Sequence, residues 1–409
     1  MNLIVQKFGG TSTRSFETRK KMYEHIERQL NKGKKVIAVV SAMGRYGDPY
    51  ATDTLLSNVR KESLTGEEID RLMSMGETIS SLVIKSELAS KGINATTATF
   101  SEIGIHTNSI YQNADIEKVD GTILLNKLEE FDVIIVPGFQ GISEEGKVTT
   151  LGRGGSDLSA VALAIGVGAK RVDIFSDVDG IYTADPRIVP DAKKIAYISY
   201  EEMLELACNG AKVLNHRCVQ LAAKFGIEIH ARSCFDFRRG TYVIGDDRMV
   251  QENLNEMLIS GVTGSMNEAR ITLVGIDSTG NAPSKLFNAI DEAAINVNVF
   301  NQALVGGGKA DISFIINDED LPKATKICND LKKELDAKRI IVRGNIGKVS
   351  IIGVGIKSHH GIFNQIFDTL ESNDIHVEMT SCSEINISCY IDRDDVNKAQ
   401  ALIHELFIK

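Results

Sequence analysis

The sequence predicts an α/β protein. A three-layer αβα domain with a mostly parallel sheet comes first, followed by two ferredoxin-like βαββαβ modules. Three observations carry this. Over residues 1–245, near-continuous apolar strands alternate with amphipathic helical segments, the pattern of a sheet covered on both faces. A polar stretch, Gly245–Met257, then reads as a linker. Beyond it the chain repeats itself at an offset of about 80 residues. At 409 residues the chain has room for two or three domains. We place the boundaries at 1–245, 246–258 (linker), 259–340 and 341–409, with the last two modules intertwined.

Leu3–Phe8 is the first expected strand. Phe16 to Leu30 follows as a helix, because Met22, Ile26 and Leu30 recur at i, i+4 spacing. Gly33 ends it, and Lys35–Ser41 is a near-continuous apolar strand, closing a right-handed β-α-β unit. Further strands are expected at Val133–Val136, Val172–Phe175 and Ile227–Ile229. Helices are expected at Glu77–Ala89, Ser156–Ile165 and Glu201–Ala223, the last broken near Asn209-Gly210. In the repeat, Arg270–Ile276, Gly280, a helix-like stretch and Ile295–Val299 correspond to Lys348–Val354, Gly361, a second helix-like stretch and Ile375–Met379.

Composition narrows the function. Apolar residues make up 43% and charged residues 25%, ordinary for a globular protein. A net charge of −9 argues against nucleic acid or an anionic membrane as partner. No apolar run approaches a membrane span, and Lys7 with Gly9-Gly10 interrupts the only early apolar run, so no signal peptide is expected. The six cysteines form no C-x-x-C pair and read as free thiols in a reducing cytoplasm. The eight histidines are dispersed, and no metal site is expected.

Three motifs carry chemistry. The first is Lys7-Phe8-Gly9-Gly10-Thr11-Ser12, directly after an apolar strand. Paired glycines let backbone N–H groups approach a polyphosphate, and the lysine adds a compact positive charge. The second is Thr149-Thr150-Leu151-Gly152-Arg153-Gly154-Gly155-Ser156-Asp157, just before a helix that Ser156 or Asp157 could cap. Helix N-termini favour anions, and Arg153 offers a planar fork for carboxylate or phosphate. Asp157 suits such a place only if it positions a lysine or an ammonium group. The third runs from Ser176 to Arg187 at the end of the strand Val172–Phe175, where parallel sheets bind ligands. Its aspartates, Tyr182 and Arg187 suit nucleotide recognition. Walker A, protein-kinase and G-x-G-x-x-G signatures are absent. Gly353-Val-Gly355 reads as a turn of the repeat.

Together these motifs resemble the amino-acid kinase family, and within it the aspartate kinases. Ser41-Ala-Met-Gly44, Gly76-Glu77, Pro137-Gly-Phe-Gln-Gly141 and Gly210-Ala-Lys-Val-Leu214 fall between and after them in the family's order. The repeat resembles paired ACT modules, which bind effector amino acids. The resemblance implies an amino-acid kinase domain that transfers the γ-phosphoryl group of ATP to the β-carboxylate of L-aspartate. This is the first step of lysine, threonine and methionine biosynthesis, under feedback control. It further implies that Lys7 contacts the phosphates with Phe8, Gly9 and Gly10, and that Asp157 orients Lys7. Arg153 would pair with the substrate's α-carboxylate and Glu77 with its ammonium group. Ser41, Thr52, Phe139 and Ser156 would complete the aspartate pocket. Ser176, Asp177, Tyr182, Arg187 and Lys212 would hold ATP, with Mg2+ riding on the phosphates. Asp277, Gly280, Gln302, Ser383 and Glu384 are candidate effector contacts for lysine, threonine or diaminopimelate, while Asp311 is expected to be structural. A homo-oligomer formed through the ACT modules is implied as well, and Met257 is a candidate internal start. The sequence departs from the family pattern at Asn215-His216-Arg217, where many relatives carry His-Pro-Arg. A glutamate or acetylglutamate kinase and a catalytically silent amino-acid sensor are the alternatives.

Overall fold

The computed structural model describes residues 2–211, 213–245, 248, 259–278, 280–356 and 360–408. The chain forms two compact units. The first comprises Met1–Tyr182, Lys194–Cys208 and Lys212–Glu256, and the second Thr183–Lys193, Asn209–Ala211 and Met257–Lys409. The two units do not follow one linear cut of the chain. Two short segments N-terminal to residue 245 group with the second unit, because they pair with that unit's own residues. The Thr183 carbonyl accepts from Val262 N (2.7 Å), and the Ser350 hydroxyl donates to Asn209 Oδ1 (3.3 Å). The linker at 246–258, Met257 included, lies outside the described residues apart from Arg248.

The first unit is built on an eight-stranded sheet. Its strand order is Tyr197–Ser199, Thr241–Ile244, Glu228–Ser233, Arg171–Ser176, Leu3–Phe8, Lys35–Val40, Val133–Pro137 and Ala95–Thr97. Only the contact between Glu228–Ser233 and Thr241–Ile244 is antiparallel. Alternation along each strand divides two apolar faces. Ile4, Phe8, Val36, Ala38 and Phe175 bury against Met22, Ile26, Ile84 and Leu88 of helices Phe16–Leu30 and Gly66–Ser90. On the other face, helix Gly155–Gly166 packs across strands Leu3–Phe8 and Arg171–Ser176. Leu3–Phe8 thus pairs on one side with the next strand in sequence and on the other with a strand that arrives from the opposite layer. Its carboxyl end is the topological switch point, where open α/β sheets bind ligands.

Some expected elements need correction. The helix expected at Glu77–Ala89 starts eleven residues earlier and runs Gly66–Ser90, opened by a capping box between Thr65 and Glu68. Gly76 is not its boundary. A Cβ there would lie 2.7 Å from both the Ala42 Cβ and the Tyr50 carbonyl, so the glycine serves close approach. The segment Glu201–Ala223 is broken where Asn209-Gly210 was expected to break it, into helices Tyr200–Cys208 and His216–Phe225. Neither Ser156 nor Asp157 caps its helix. The N-cap is Gly154, in the left-handed region at φ 74°. A four-stranded accessory sheet (Ile116–Val119, Ile105–Thr107, Gln140–Ile142, Val148–Thr150) was not anticipated, since strands this short carry little periodic signal.

The second unit holds one antiparallel six-stranded sheet, ordered Val299–Gly306, Lys309–Asn317, Gly261–Asp277, Arg339–Ile352, Asn386–Asp392, Met379–Cys382. Two long strands are shared between its halves. Glu268–Asp277 pairs with Lys309–Asn317, while Gly261–Ser265 pairs with Lys348–Ile352. Helices Ala282–Glu292 and Leu321–Leu331 cover one half around Leu273, Leu286 and Phe314. Helices Ile362–Glu371 and Val396–Phe407 cover the other around Val349, Ile366 and Ile403. Asp311 accepts a hydrogen bond from Gly275 N (2.8 Å) beside an irregularity in the first strand's pairing, a structural task.

Candidate active site

Strand alternation turns Lys7 toward the layer of helix Gly155–Gly166, the opposite side from Phe8. Its ammonium lies 2.6 Å from Asp157 Oδ1, with each side chain about 11% exposed. Asp157 stands in the first turn of its helix, where the helix dipole favours a carboxylate. The pairing leaves a nearly buried cation with its charge balanced. Beside it the glycines have different tasks. A Cβ on Gly9 would lie 3.3 Å from Lys7 Nζ and crowd the ammonium. A Cβ on Gly10 would lie 2.5 Å from the Gly44 carbonyl, because Gly44 N donates to Gly10 O (2.9 Å) and locks the two strand ends together.

That lock also seats Ser41, whose N–H donates to the Phe8 carbonyl, and Ala42, whose N–H donates to Glu77 Oε1 (3.1 Å). Glu77 sits in mid-helix and is only 3% exposed. Its Oε2 is buried and finds no partner among the described residues. Burial pushes its pKa up to about 8, against the lowering effect of the Ala42 N–H. A carboxylate so placed is incomplete without a proton or a cation. Thr52 opens the short helix Thr52–Ser57, which packs on the helix bearing Glu77.

Phe139 is buried with φ 70°, a left-handed conformation costly for a bulky residue. Two hydrogen bonds hold it there: Phe139 N to Ser159 Oγ (2.9 Å) and Leu151 N to Phe139 O (2.9 Å). Its ring would collide with any Cβ on Gly155, at 2.8 Å, so ring and helix start fit together. Ser156 is buried beside Gly138. Arg153 is exposed, a planar fork open to an anion.

The third motif is partly assembled with these groups. Gly9 N donates to Phe175 O, which joins the first motif to the strand leading into Ser176. The Asp177 carboxylate pairs with Arg45 (2.6 Å), and the Tyr182 hydroxyl donates to Asp179 Oδ1 (2.8 Å). Arg187 falls in the segment grouped with the second unit and pairs with Asp185. Lys212 lies outside the described residues. Sequence reasoning missed Arg45, Ser159 and Arg217. Arg217 donates to the carbonyls of Leu151 and Ala114 and to the side chains of Asn113 and Asp115, each within 2.8–3.0 Å. No periodicity or motif singles out such a clamp, although Asn215 directly before the amphipathic run from His216 is a readable N-cap signal.

Among the effector candidates, Asp277 and Gly280 lie together, with the Gly280 Cβ position 3.5 Å from Asp277 Oδ2. Gln302 is on one edge strand of the six-stranded sheet, and Ser383-Glu384 follow the strand at the other edge. Five inter-strand spacings separate the edges, about 24 Å, so one chain does not bring all five residues into a single site.

Residues 2–233 match the amino acid kinase family, and residues 349–407 match an ACT domain. The chain is 38% identical to the aspartokinase of Mycolicibacterium smegmatis over 412 aligned positions, covering 100% of this chain and 96% of that protein. It is also 38% identical to the aspartokinase of Helicobacter pylori, covering 99% of each. Among solved structures it is similar to E. coli aspartokinase III in complex with aspartate and ADP, with a TM-score of 0.82, 24% identity and full coverage of both chains. Full-length relationship at this level, on a fold whose switch point carries a lysine, paired glycines and a buried carboxylate, is decisive: the chain belongs to the amino acid kinase family and, within it, to the aspartokinases.

Proposed function

We propose that this protein is an aspartate kinase that transfers the γ-phosphoryl group of ATP to the β-carboxylate of L-aspartate, giving 4-phospho-L-aspartate. The observation that carries the substrate assignment is Glu77, a buried carboxylate with one unpartnered oxygen. An α-ammonium group supplies the missing cation. Arg153 takes the α-carboxylate, and Ser41, Thr52, Phe139 and Ser156 shape the space between. The β-carboxylate is ionised at neutral pH, with a reference pKa of about 4, so the reaction needs no general base. One carboxylate oxygen forms a bond to the γ-phosphorus as the bond to the β-phosphate oxygen breaks, and ADP leaves with that electron pair. The protein's work is to bring two anions together and to stabilise the charge in transit.

Lys7 does this at the phosphates, held in place by Asp157, with Phe8, Gly9 and Gly10 giving backbone access. Ser176, Asp177, Tyr182, Arg187 and Lys212 belong to the nucleotide side. Asp157 is already committed to Lys7, and no group of three metal-ligating side chains occurs among the described residues. Mg2+ would be held mainly by the nucleotide's own phosphates, where it would supply further positive charge.

The second unit provides feedback control. Lysine, threonine or diaminopimelate is the effector, bound where Asp277 and Gly280 of one chain face Gln302, Ser383 or Glu384 of another. The edge strand Val299–Gly306 exposes Phe300, Leu304 and Val305, an apolar edge that a second copy would cover. The work takes place in the cytoplasm. Trapping of the acyl phosphate with hydroxylamine tests the substrate assignment. Aspartyl hydroxamate is expected with L-aspartate, while succinate, which lacks the ammonium group, is expected to be inert. Equal turnover of the two would refute the role of Glu77.

A further inference from the structure

The carbonyl of Arg153 accepts a hydrogen bond from Asn215 Nδ2 at 2.7 Å. The same side chain caps helix His216–Phe225. Its Oδ1 accepts from Arg217 N (2.9 Å) and Cys218 N (3.3 Å). One planar amide therefore joins the exposed arginine's backbone to the first turn of a helix 62 residues further along the chain. The loop is shaped to receive it. Gly154, at φ 74°, brings the backbone so close that a Cβ there would lie 2.5 Å from Asn215 Nδ2. Gly152, at φ 76°, approaches Asn113 Oδ1 in the same way, at 2.6 Å. Arg217, two residues after Asn215, holds the carbonyl of Leu151 at 2.8 Å. The three-residue arc carrying Arg153 is thus pinned before and within itself by one helix N-terminus.

We propose that Asn215 is a positioning residue for Arg153: by holding the Arg153 carbonyl it fixes where the guanidinium meets the substrate's α-carboxylate. The inference rests on the reading of Arg153 as the carboxylate-binding residue. Asn215 does not touch substrate. It acts by removing the freedom of a glycine-flanked loop, whose ordering would otherwise be charged against aspartate binding. A helix cap alone would need only the oxygen of the amide. The nitrogen's bond to Arg153 is the additional feature.

Asn215→Asp separates these two tasks. It keeps the shape and the capping oxygen but replaces the N–H donor by an acceptor facing a carbonyl. Asn215→Ser keeps a cap and is too short to reach. In the full chain, both variants are expected to raise the KM for aspartate about tenfold, with kcat and the KM for ATP within about twofold of wild type. Because the capping oxygen is kept, the Tm of Asn215→Asp should fall by no more than a few degrees for the loss of one hydrogen bond. Arg153→Ala serves as reference and should raise the aspartate KM at least as much. If both Asn215 variants keep the wild-type aspartate KM while Arg153→Ala loses it, the positioning role is overturned. A joint rise of both KM values with a larger fall in Tm also overturns it, leaving a helix cap. If Arg153→Ala itself leaves the aspartate KM unchanged, the reading of Arg153 fails, and the inference with it.

Discussion

At the residue scale the site is defined by charges that the fold leaves unfinished. Lys7 is balanced by Asp157, whereas Glu77 meets no cation among the described residues. With its pKa pushed up to about 8 by burial, Glu77 holds its proton more tightly than an ordinary carboxyl and would give it up to hold the ammonium group proposed for it. The KM for aspartate should therefore fall as pH rises toward 8, and Glu77→Gln should raise the KM and flatten that dependence. The stability linkage has a definite sign. The folded-state pKa is above the unfolded value of 4.5, so the folded enzyme holds the proton more tightly. Its contribution is complete below pH 4.5 and is lost as pH rises through about 8. Thermal melts from pH 5 to 9 should show a decline that Glu77→Gln reduces, and added aspartate should protect more at pH 8.5 than at 6. An aspartate KM independent of pH in the wild type would contradict the assignment. Little of this was readable beforehand. The sequence offered Gly76-Glu77 as a helix start, because nothing in a single chain shows that Gly76 is there to admit Ala42 and Tyr50. The left-handed backbone of Phe139 was equally hidden, since no residue type announces it when the residue is not glycine.

At the element scale, the candidate site gathers the ends of strands Leu3–Phe8, Lys35–Val40, Val133–Pro137 and Arg171–Ser176 with helices Gly66–Ser90 and Gly155–Gly166, and glycines set how closely they approach. Gly10 makes the closest of the backbone approaches between these strand ends. Its Cβ position lies 2.5 Å from a backbone oxygen, which cannot rotate away. Gly10→Ala should force apart the ends of Leu3–Phe8 and Lys35–Val40, costing about 1–3 kcal/mol of stability, measurable by urea unfolding. It should also weaken nucleotide binding. Wild-type stability in that variant would show that the strand ends are not locked. These buried strands were legible because both their faces are covered, so each reads as a continuous apolar run. Helix Phe16–Leu30 was legible to the residue because its apolar stripe and Gly33 agree, and the structure adds a Ser15 capping box. The short accessory strands and the full length of helix Gly66–Ser90 were not, since polar residues such as Asp70, Ser74 and Ser81 lie on its buried side.

At the scale of the whole molecule, the repeat announced two modules, yet tertiary pairing decides which residues belong to each. Strand Gly261–Asp277 serves both halves of one sheet, and Thr183–Lys193 joins the second unit although it continues the nucleotide motif. The chain itself thus runs from the nucleotide motif into the regulatory unit and back. Assembly should proceed through the exposed edge of that unit. Leu304, 76% exposed on the edge strand, touches nothing in the kinase reading. Leu304→Asp should shift sedimentation toward a smaller species and reduce effector inhibition, while basal turnover persists. An unchanged sedimentation coefficient would place the interface elsewhere.

In the proposed mechanism Lys7 is the cation that joins ATP to the aspartate carboxylate. The most direct test is the rate of ATP-dependent aspartyl hydroxamate formation by the wild type and by Lys7→Ala, with Tm measured alongside. The wild type should turn over aspartate in preference to glutamate. Lys7→Ala should lower kcat by about a hundred- to a thousandfold with the fold intact. Absence of aspartyl hydroxamate from the wild type, or a near-normal kcat in Lys7→Ala, would contradict that mechanism.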